Sequence, residues 1–379
     1  VPLRGGARVT GRAGKFVIGA ANMETGEDTV GKLDATNFTV VRVKRDVLRN
    51  SAIGLIATNR SVSQFSKGQN QTYGVDGTFT FGPTLIINSY WAKTHTDGLR
   101  GGDTSYRAQV DYPGDRWAFQ VDRLDIGDNF NPEVGFVRRD DMRRTYGQVR
   151  FSPRPRANRP FTRRIRRFSY TATLTHIENT RGRLESRERS GEAALEFQSA
   201  DRLGVTYKDS YEFLPRPFRI APGVTLPIGS YPFRSTELAY TMGTQRRRAA
   251  NLALEVGTFY NGHRTVLTAS RGRFQVSDQL FVEPAYSLND VTLTQGHFRN
   301  HLGSARVTYT LTPLMFVSAL VQYNSTTHAV STNARLRWEY RPGSEFFIVY
   351  NEQRDTLTRG LPDTMSRALF VKVNRLFRY

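Results

Sequence analysis

Apolar and polar residues alternate with a period of two along almost the whole of this 379-residue chain, in segments of about ten residues separated by turn chemistry. In "SYRAQVDY", Tyr106, Ala108, Val110 and Tyr112 share one face, while Arg107, Gln109 and Asp111 share the other. "PGD" then turns the chain into "RWAFQVDRL", where Trp117, Phe119 and Val121 oppose Gln120 and Asp122. "NARLRWEY" sets Ala334, Leu336, Trp338 and Tyr340 against Arg335, Arg337 and Glu339. Helical periodicity is not sustained anywhere. The chain is all-β.

The connections sort by length. Tight turns such as "RAGK" (12–15), "PGD" (113–115), "SD" (277–278), "TP" (312–313) and "RPGS" (341–344) alternate over most of the chain with long polar ones such as "METGEDTVGKLDATN" and "HTDGLRGGDT". A soluble sandwich has no reason to sort its loops this way. A membrane barrel does, with tight turns on the periplasmic side and long loops outside. About 21 strand segments can be counted, and an even-stranded barrel requires one more upstream of Val1. The expectation is a closed antiparallel transmembrane outer-membrane β-barrel of about 20–22 strands, one domain over residues 1–379. The last segment, "ALFVKVNRLFRY", fits its closing strand. Leu369, Val371, Val373, Phe377 and Tyr379 share a lipid-facing side, and Lys372 and Asn374 lie on the other. Arg375 is placed near the periplasmic boundary, where its head can snorkel to water.

Composition agrees with this. Mean hydropathy is −0.49 and no apolar run could make a spanning helix, but a barrel strand shows lipid only every second residue. There is no cysteine, so neither disulfides nor thiolate metal sites are available. Lys and Arg number 54 against 34 acids, for a net charge of +20. The cations are spread through strands without a nucleic-acid-binding motif, so no nucleic-acid partner is expected.

"NFTVVRVKRDVLRNSAIGLIATNRS", "NFNPEVGFVRRDDMRR", "EFLPRPFRIAPGVTLPIGSY", "TYTLTPLMFVSALVQYNS" and "ARLRWEYRPGSEFFIVYNE" resemble a family of bacterial outer-membrane proteins. In that family a C-terminal barrel of uncharacterised function follows a carbohydrate-binding module similar to family nine. The resemblance implies a bacterial outer-membrane location, and a signal peptide and such a module upstream of Val1. It implies no catalytic residues.

The polar faces nominate Arg107, Gln109, Asp111, Gln120, Asp122, Arg335, Arg337, Glu339, Lys372 and Asn374 as lumen-lining residues, with a bias toward anions. Two loops are candidates for ligand capture. One offers Asn131, Glu133, Arg138 and Arg139. The other, "EFLPRPFRIAPGVTLPIGSYPF" (212–233), carries five prolines and cannot be a central strand. It is expected to fold into or across the mouth, offering Tyr211, Phe213, Phe218 and Tyr231. Asp122, Asp125 and Asp128 have carboxylate spacing suited to calcium, and Glu133 with Asp140 and Asp141 could make a glycosidase pair. His297 and His301 can share a strand face. In each case solvated or structural residues explain the pattern with fewer assumptions, so no metal, cofactor or catalytic group is expected. "FSPRPRANRPFTRRIRRFSY" (151–170), with seven arginines and three prolines, falls where the connection should be short.

The expected function is a channel or binding protein for a solute, anionic or saccharide. An anchor for a glycan-binding module, or part of a larger outer-membrane complex, is the alternative, and a hydrolase is the second. Membrane lipid, lipopolysaccharide and partner protein chains are the expected partners.

Overall fold

The computed structural model describes all residues except 66–67, 157, 358–362 and 377–379. Phe377 and Tyr379, expected on the lipid-facing side, therefore lie outside the described residues. The chain forms two compact units. Unit 1 comprises 1–152, 171–190 and 210–213, and unit 2 comprises 153–170, 191–209 and 214–379.

Unit 1 contains β1 (Leu3–Ala13), β2 (Phe16–Thr25), β3 (Thr36–Val47), β4 (Ser51–Arg60) and β5 (Asn70–Phe81). It continues with β6 (Leu85–Thr96), β7 (Thr104–Tyr112), β8 (Trp117–Ile126) and β9 (Met142–Phe151). The short helix α1 (Pro160–Arg164) follows, then β10 (Ile165–Glu178), β11 (Leu184–Phe197) and β12 (Arg202–Leu214), which contribute residues to both units. Unit 2 holds the small hairpin β13 (Phe218–Ala221) and β14 (Val224–Leu226), then β15 (Gly229–Thr241), β16 (Arg248–Phe259) and β17 (Gly262–Gln275). After these come β18 (Leu280–Leu293), β19 (Gly296–Thr312), β20 (Met315–Asn324), β21 (Ala329–Arg341), β22 (Ser344–Asp355) and β23 (Thr364–Asn374). Of these 23 strands, 21 are sheet-paired and β13 pairs with β14. The described ladders are antiparallel between successive strands, as tight turns dictate.

Each ladder keeps two faces. In unit 1, one rung runs Val43–Leu55–Val75–Trp91–Tyr106. The rung beside it, on the other face, runs Lys44–Gly54–Asp76–Tyr90–Arg107–Leu124–Arg144. In unit 2, Leu238, Leu254, Leu267 and Leu288 align across four strands, and Glu237 and Glu255 align on the opposite face. Leu55, Trp91, Leu254 and Leu267 are exposed. A sheet face of exposed aliphatics and aromatics is unfavourable in water and favourable in hydrocarbon, where strands of about 9–11 residues suffice to cross. The strands of unit 1 run 9–12 residues. The fold is all-β, of the transmembrane outer-membrane β-barrel class.

Register sorts the last strands into two sets. Leu336, Ile348 and Val371 stand in register, as do Trp338, Phe346 and Val373, while Arg337, Phe347 and Lys372 stand in register on the other face. Gly343 in the "RPGS" turn has φ +77, a backbone state that suits glycine.

Loop lengths depart from strict alternation in three places. The connection 152–164 is long where a short one was expected. Residues 260–261 and 294–295 make tight turns on the side of the long loops. Those two turns flank the excursion between β12 and β15. Its side chains pack on Phe259, Tyr260 and Leu293, so the neighbouring strands need no loops of their own.

Candidate functional site

In both units a long loop folds back over the polar face of its own strands. The loop between β8 and β9 puts Phe130 into a cluster with Ile126 and Met142, packed on Ala92, Leu124, Val137 and Ile177. Ala92 and Leu124 belong to the polar face by register. Polar bonds then fix the loop. Asn70 donates Nδ2 to the Asn131 carbonyl at 2.7 Å, and the Asn131 N–H reaches Thr94 Oγ1 at 3.1 Å. The Glu133 carboxylate accepts from Ser63 Oγ at 2.6 Å, the Gln64 N–H at 2.9 Å and Asn131 Nδ2 at 3.0 Å. Arg60 Nη1 stands 3.5 Å from the same carboxylate, whose side chain is 1% exposed. Such a carboxylate is a clamp between two loops, with its lone pairs already engaged.

In unit 2 the excursion after β12 does the same with apolar groups. Leu214, Val224, Leu226 and Tyr231 bury themselves against Val291 and Leu293, with Phe233, Phe259 and Phe298 around them. Val291 shares its strand face with Asn289. The Tyr231 hydroxyl donates to the Pro227 carbonyl at 2.7 Å.

Beneath the covered ends lie charge clusters. In unit 1, Asp122 is 1% exposed and accepts from Arg107 Nε at 2.5 Å and Arg144 Nη2 at 2.9 Å. Arg42 donates Nη1 and Nη2 to the two carboxylate oxygens of Asp76, at 2.5 and 2.8 Å. In unit 2, Lys208 reaches Glu237 at 3.0 Å and Glu255 at 3.4 Å, and Arg264 donates to Glu255 at 2.6 Å. Arg337 Nε donates to Glu345 at 2.8 Å, and Arg335 lies over the Phe347 ring. The polar-face arginines are thus largely answered by carboxylates or rings, so the net charge overstates the field along these faces.

Two cavities open on these faces. One of about 550 Å³ in unit 1 is lined by Gly6, Arg8, Met23, Phe38, Val40 and the loop residue Val134. Register puts Gly6, Met23 and Phe38 on one face, and Arg60 stands over the Phe38 ring. Another, of about 500 Å³ in unit 2, is lined by Arg273, Glu283, Ser304 and Arg306 among others.

The residues singled out from sequence divide accordingly. Arg107, Gln109, Asp111, Gln120 and Asp122 share the polar face of unit 1, and Arg335, Arg337, Glu339, Lys372 and Asn374 share that of unit 2. In the first loop Asn131 and Glu133 are engaged as above, Arg139 pairs with Glu185, and Arg138 is exposed. The four aromatics divide between the two units. Tyr211 and Phe213 belong to unit 1, where Arg183 covers the Phe213 ring. In unit 2, Tyr231 is buried and Phe218 exposed.

The calcium reading is overturned. Asp122 and Asp125 are three apart in one strand and so face opposite ways, the second toward Arg143 at 2.9 Å. The glycosidase pair is overturned as well, because Glu133 is occupied by the first clamp while Asp141 bonds Thr180. The Thr180 hydroxyl and N–H hold the Asp141 carboxyl below its ordinary range. His297 and His301 do share a face, but they engage Asp290 and the Tyr286 hydroxyl, each at 2.8 Å. No group of metal-ligating side chains occurs among the described residues. Sequence reasoning missed Arg8, Phe38, Val40 and Val134. The available signal was "FTVV", where alternation fails and both faces turn apolar.

A lipid-exposed apolar face on antiparallel strands places the chain in the bacterial outer membrane. No protein-family model matches it, and neither does any curated protein. Among solved structures, the ferric yersiniabactin uptake receptor FyuA of Yersinia pestis is similar over 92% of this chain, with 11% identity and a TM-score of 0.31. The chain spans 58% of that receptor's length.

Proposed function

We propose that residues 1–379 form one outer-membrane barrel domain that captures a solute and lets it pass, with loop 127–141 and the 215–228 excursion as its recognition elements. Closure follows from the lipid environment, in which an open strand edge leaves backbone groups unsatisfied. The observation that carries the reading is the anchoring of both loops on the polar faces, the first beside a cavity large enough for a small molecule. Apolar walls with a cationic rim, as Phe38, Val40 and Arg8 make in unit 1, suit a saccharide or an amphipathic anion. Phe38 and Met23 supply stacking area, Arg8 the charge, and Val134 ties occupancy to the loop.

The test is conductance of the reconstituted chain in planar bilayers. Small, flickering channels are expected in the wild type. Larger and steadier ones are expected when residues 128–137 are replaced by a short Gly/Ser linker. Identical conductance in both would discard the gating role. Anion preference is expected to be slight, because the arginines are paired, and Arg335→Gln with Arg337→Gln should reduce it further.

A second reading is favoured by the same covered ends: the barrel serves as an anchor for a glycan-binding module. Complete absence of conductance in the wild type and in the loop-replaced protein would select it.

A further inference from the structure

The arginine-rich connection that breaks loop parity belongs wholly to unit 2. From Pro153 to Ile177 the sequence has seven arginines and no carboxylate. Ile165, 2% exposed, pins the end of α1, and Gln198 bonds the carbonyls of Arg164 and Ile165 at 2.8 and 3.4 Å. The next turns are tied on in sequence. Gln245 Nε2 donates to the Ser199 carbonyl at 2.5 Å, the Gly243 N–H to Asp201 at 2.8 Å, and the Gln275 N–H to the Arg247 carbonyl at 2.8 Å. The short-turn end of this unit is therefore one continuous belt.

Its acids are few, and one of them, Asp278, holds Gln275 Nε2 at 3.3 Å. Glu196 takes Arg166 at 3.2 Å and Arg167 at 2.5 Å, and Asp201 takes Arg246 at 2.6 Å. Arg156, Arg159, Arg164, Arg247 and Arg248 remain, all exposed, with no carboxylate in ion-pair reach among the described residues. Two rings stand beside them. Phe161 on α1 is 62% exposed, and Tyr170 is 48% exposed on the same strand face as Arg166.

Five unanswered guanidiniums on a fixed belt repel one another, so the surface is complementary to dense negative charge. We propose that this belt docks the headgroups of anionic phospholipid, with the arginines engaging phosphodiesters and Phe161 and Tyr170 seated at the acyl boundary. The proposal rests on the reading that the strands span a bilayer. Guanidinium forks match phosphate oxygens, and basic clusters next to a span read as sites for acidic lipid. An acidic protein would satisfy the charge but would leave the two rings at the edge of the lipid-facing band unexplained.

The whole chain, purified in neutral detergent, is titrated with dioctanoyl phosphatidylglycerol and dioctanoyl phosphatidylcholine by calorimetry at low salt. Tighter binding of the anionic lipid by ~10-fold is expected, falling toward parity at high salt. Replacing Arg156, Arg159, Arg164, Arg247 and Arg248 by Gln should abolish the preference, and Arg138→Gln in loop 127–141 should leave it intact. Phe161→Ala should weaken both lipids alike. Should the fivefold variant not fold, as judged by heat-modifiable migration, Arg247→Gln with Arg248→Gln should still lower the preference severalfold. Equal affinity for the two lipids would overturn the proposal, as would a preference that survives the substitutions. Competition by inorganic phosphate at equal concentration would overturn it too, by showing a simple anion site, and so would an acidic peptide that outcompetes the lipid. Insertion into phosphatidylcholine vesicles, measured separately, tests the spanning reading on its own.

Discussion

Loop 127–141 of unit 1 and the 215–228 excursion of unit 2 both cover a polar strand face, and they hold on by opposite chemistry. The first is fastened by one buried carboxylate and a set of amide and hydroxyl bonds around Glu133, Asn70 and Asn131. The second is fastened by Leu226, Val224, Leu214 and Tyr231 in an apolar cluster, with Leu226 fully buried. Directional bonds release when one partner changes charge or shape. An apolar cluster releases only when volume is removed. The first arrangement suits a part that responds to its surroundings, and the second suits a fixed constriction.

Four outcomes would sharpen or break that contrast, and trypsin reads the first two because Arg138, Arg139 and Arg219 lie in the loops. Leu226→Ala should cost about 2–5 kcal/mol of local stability through lost burial and a cavity, and should speed cleavage after Arg219 without affecting loop 127–141. Cleavage unchanged at both loops would show that the cluster does not fasten the excursion. Glu133→Ala should cost about 1–3 kcal/mol, since Ser63, the Gln64 N–H and Asn131 would lose their acceptor, and cleavage after Arg138 should rise. Glu133→Gln should fall between wild type and Ala. Gly54→Ala should cost about 1–3 kcal/mol in a denaturant midpoint. Its Cβ would lie 2.5 Å from an Arg42 nitrogen and 2.7 Å from an Asp76 oxygen, forcing that ion pair apart. No change would mean that the pair shifts freely and braces nothing.

The smallest effect is that of pH. The Asp141 carboxyl is held below its ordinary value, first by the Thr180 hydroxyl and then by the Thr180 N–H. A depressed folded pKa gives stability that is fully present above the unfolded value near 3.9 and lost as pH falls through the folded one. Hydrogen exchange should therefore rise in 127–141 as the pH is taken below about 4, while 215–228 stays protected. Equal loosening of both would remove the contrast. Asp201 adds a control at the other end of unit 2. Burial raises its pKa, but bonds from the Gly243 N–H, Tyr240 and Ser199, together with Arg246, outweigh that and leave it lowered.

Strands and faces were legible in the sequence because a period of two is a local property. The alternation in "NARLRWEY" is enough to put Trp338 and Arg337 on opposite sides, whatever they later touch. The excursion was legible in part: the four prolines of 215–228 exclude a central strand and its apolar content requires cover, but 212–214 and 229–233, expected in the same loop, end β12 and begin β15, with Pro232 inside the latter. The clamp around Glu133 was not. Its partners Ser63 and Asn70 are 70 and 63 residues away, and a carboxylate in a polar loop looks the same in sequence whether solvated or buried. The pairing of Arg107 and Arg144 on Asp122 was hidden for the same reason: it depends on ladder register across three strands.

The meander has a consequence for how the protein comes into being. Strands lie beside their neighbours in sequence, so each hairpin can form as soon as its second strand is available, with a single loop to close. The exception is the return from Leu214 to Gly229, where the chain must build β13 and β14 before the sheet resumes. Assembly would pause there. The order of insertion is thus written into the connections: a rapid run of hairpins, one halt at the proline-rich segment, and a second rapid run.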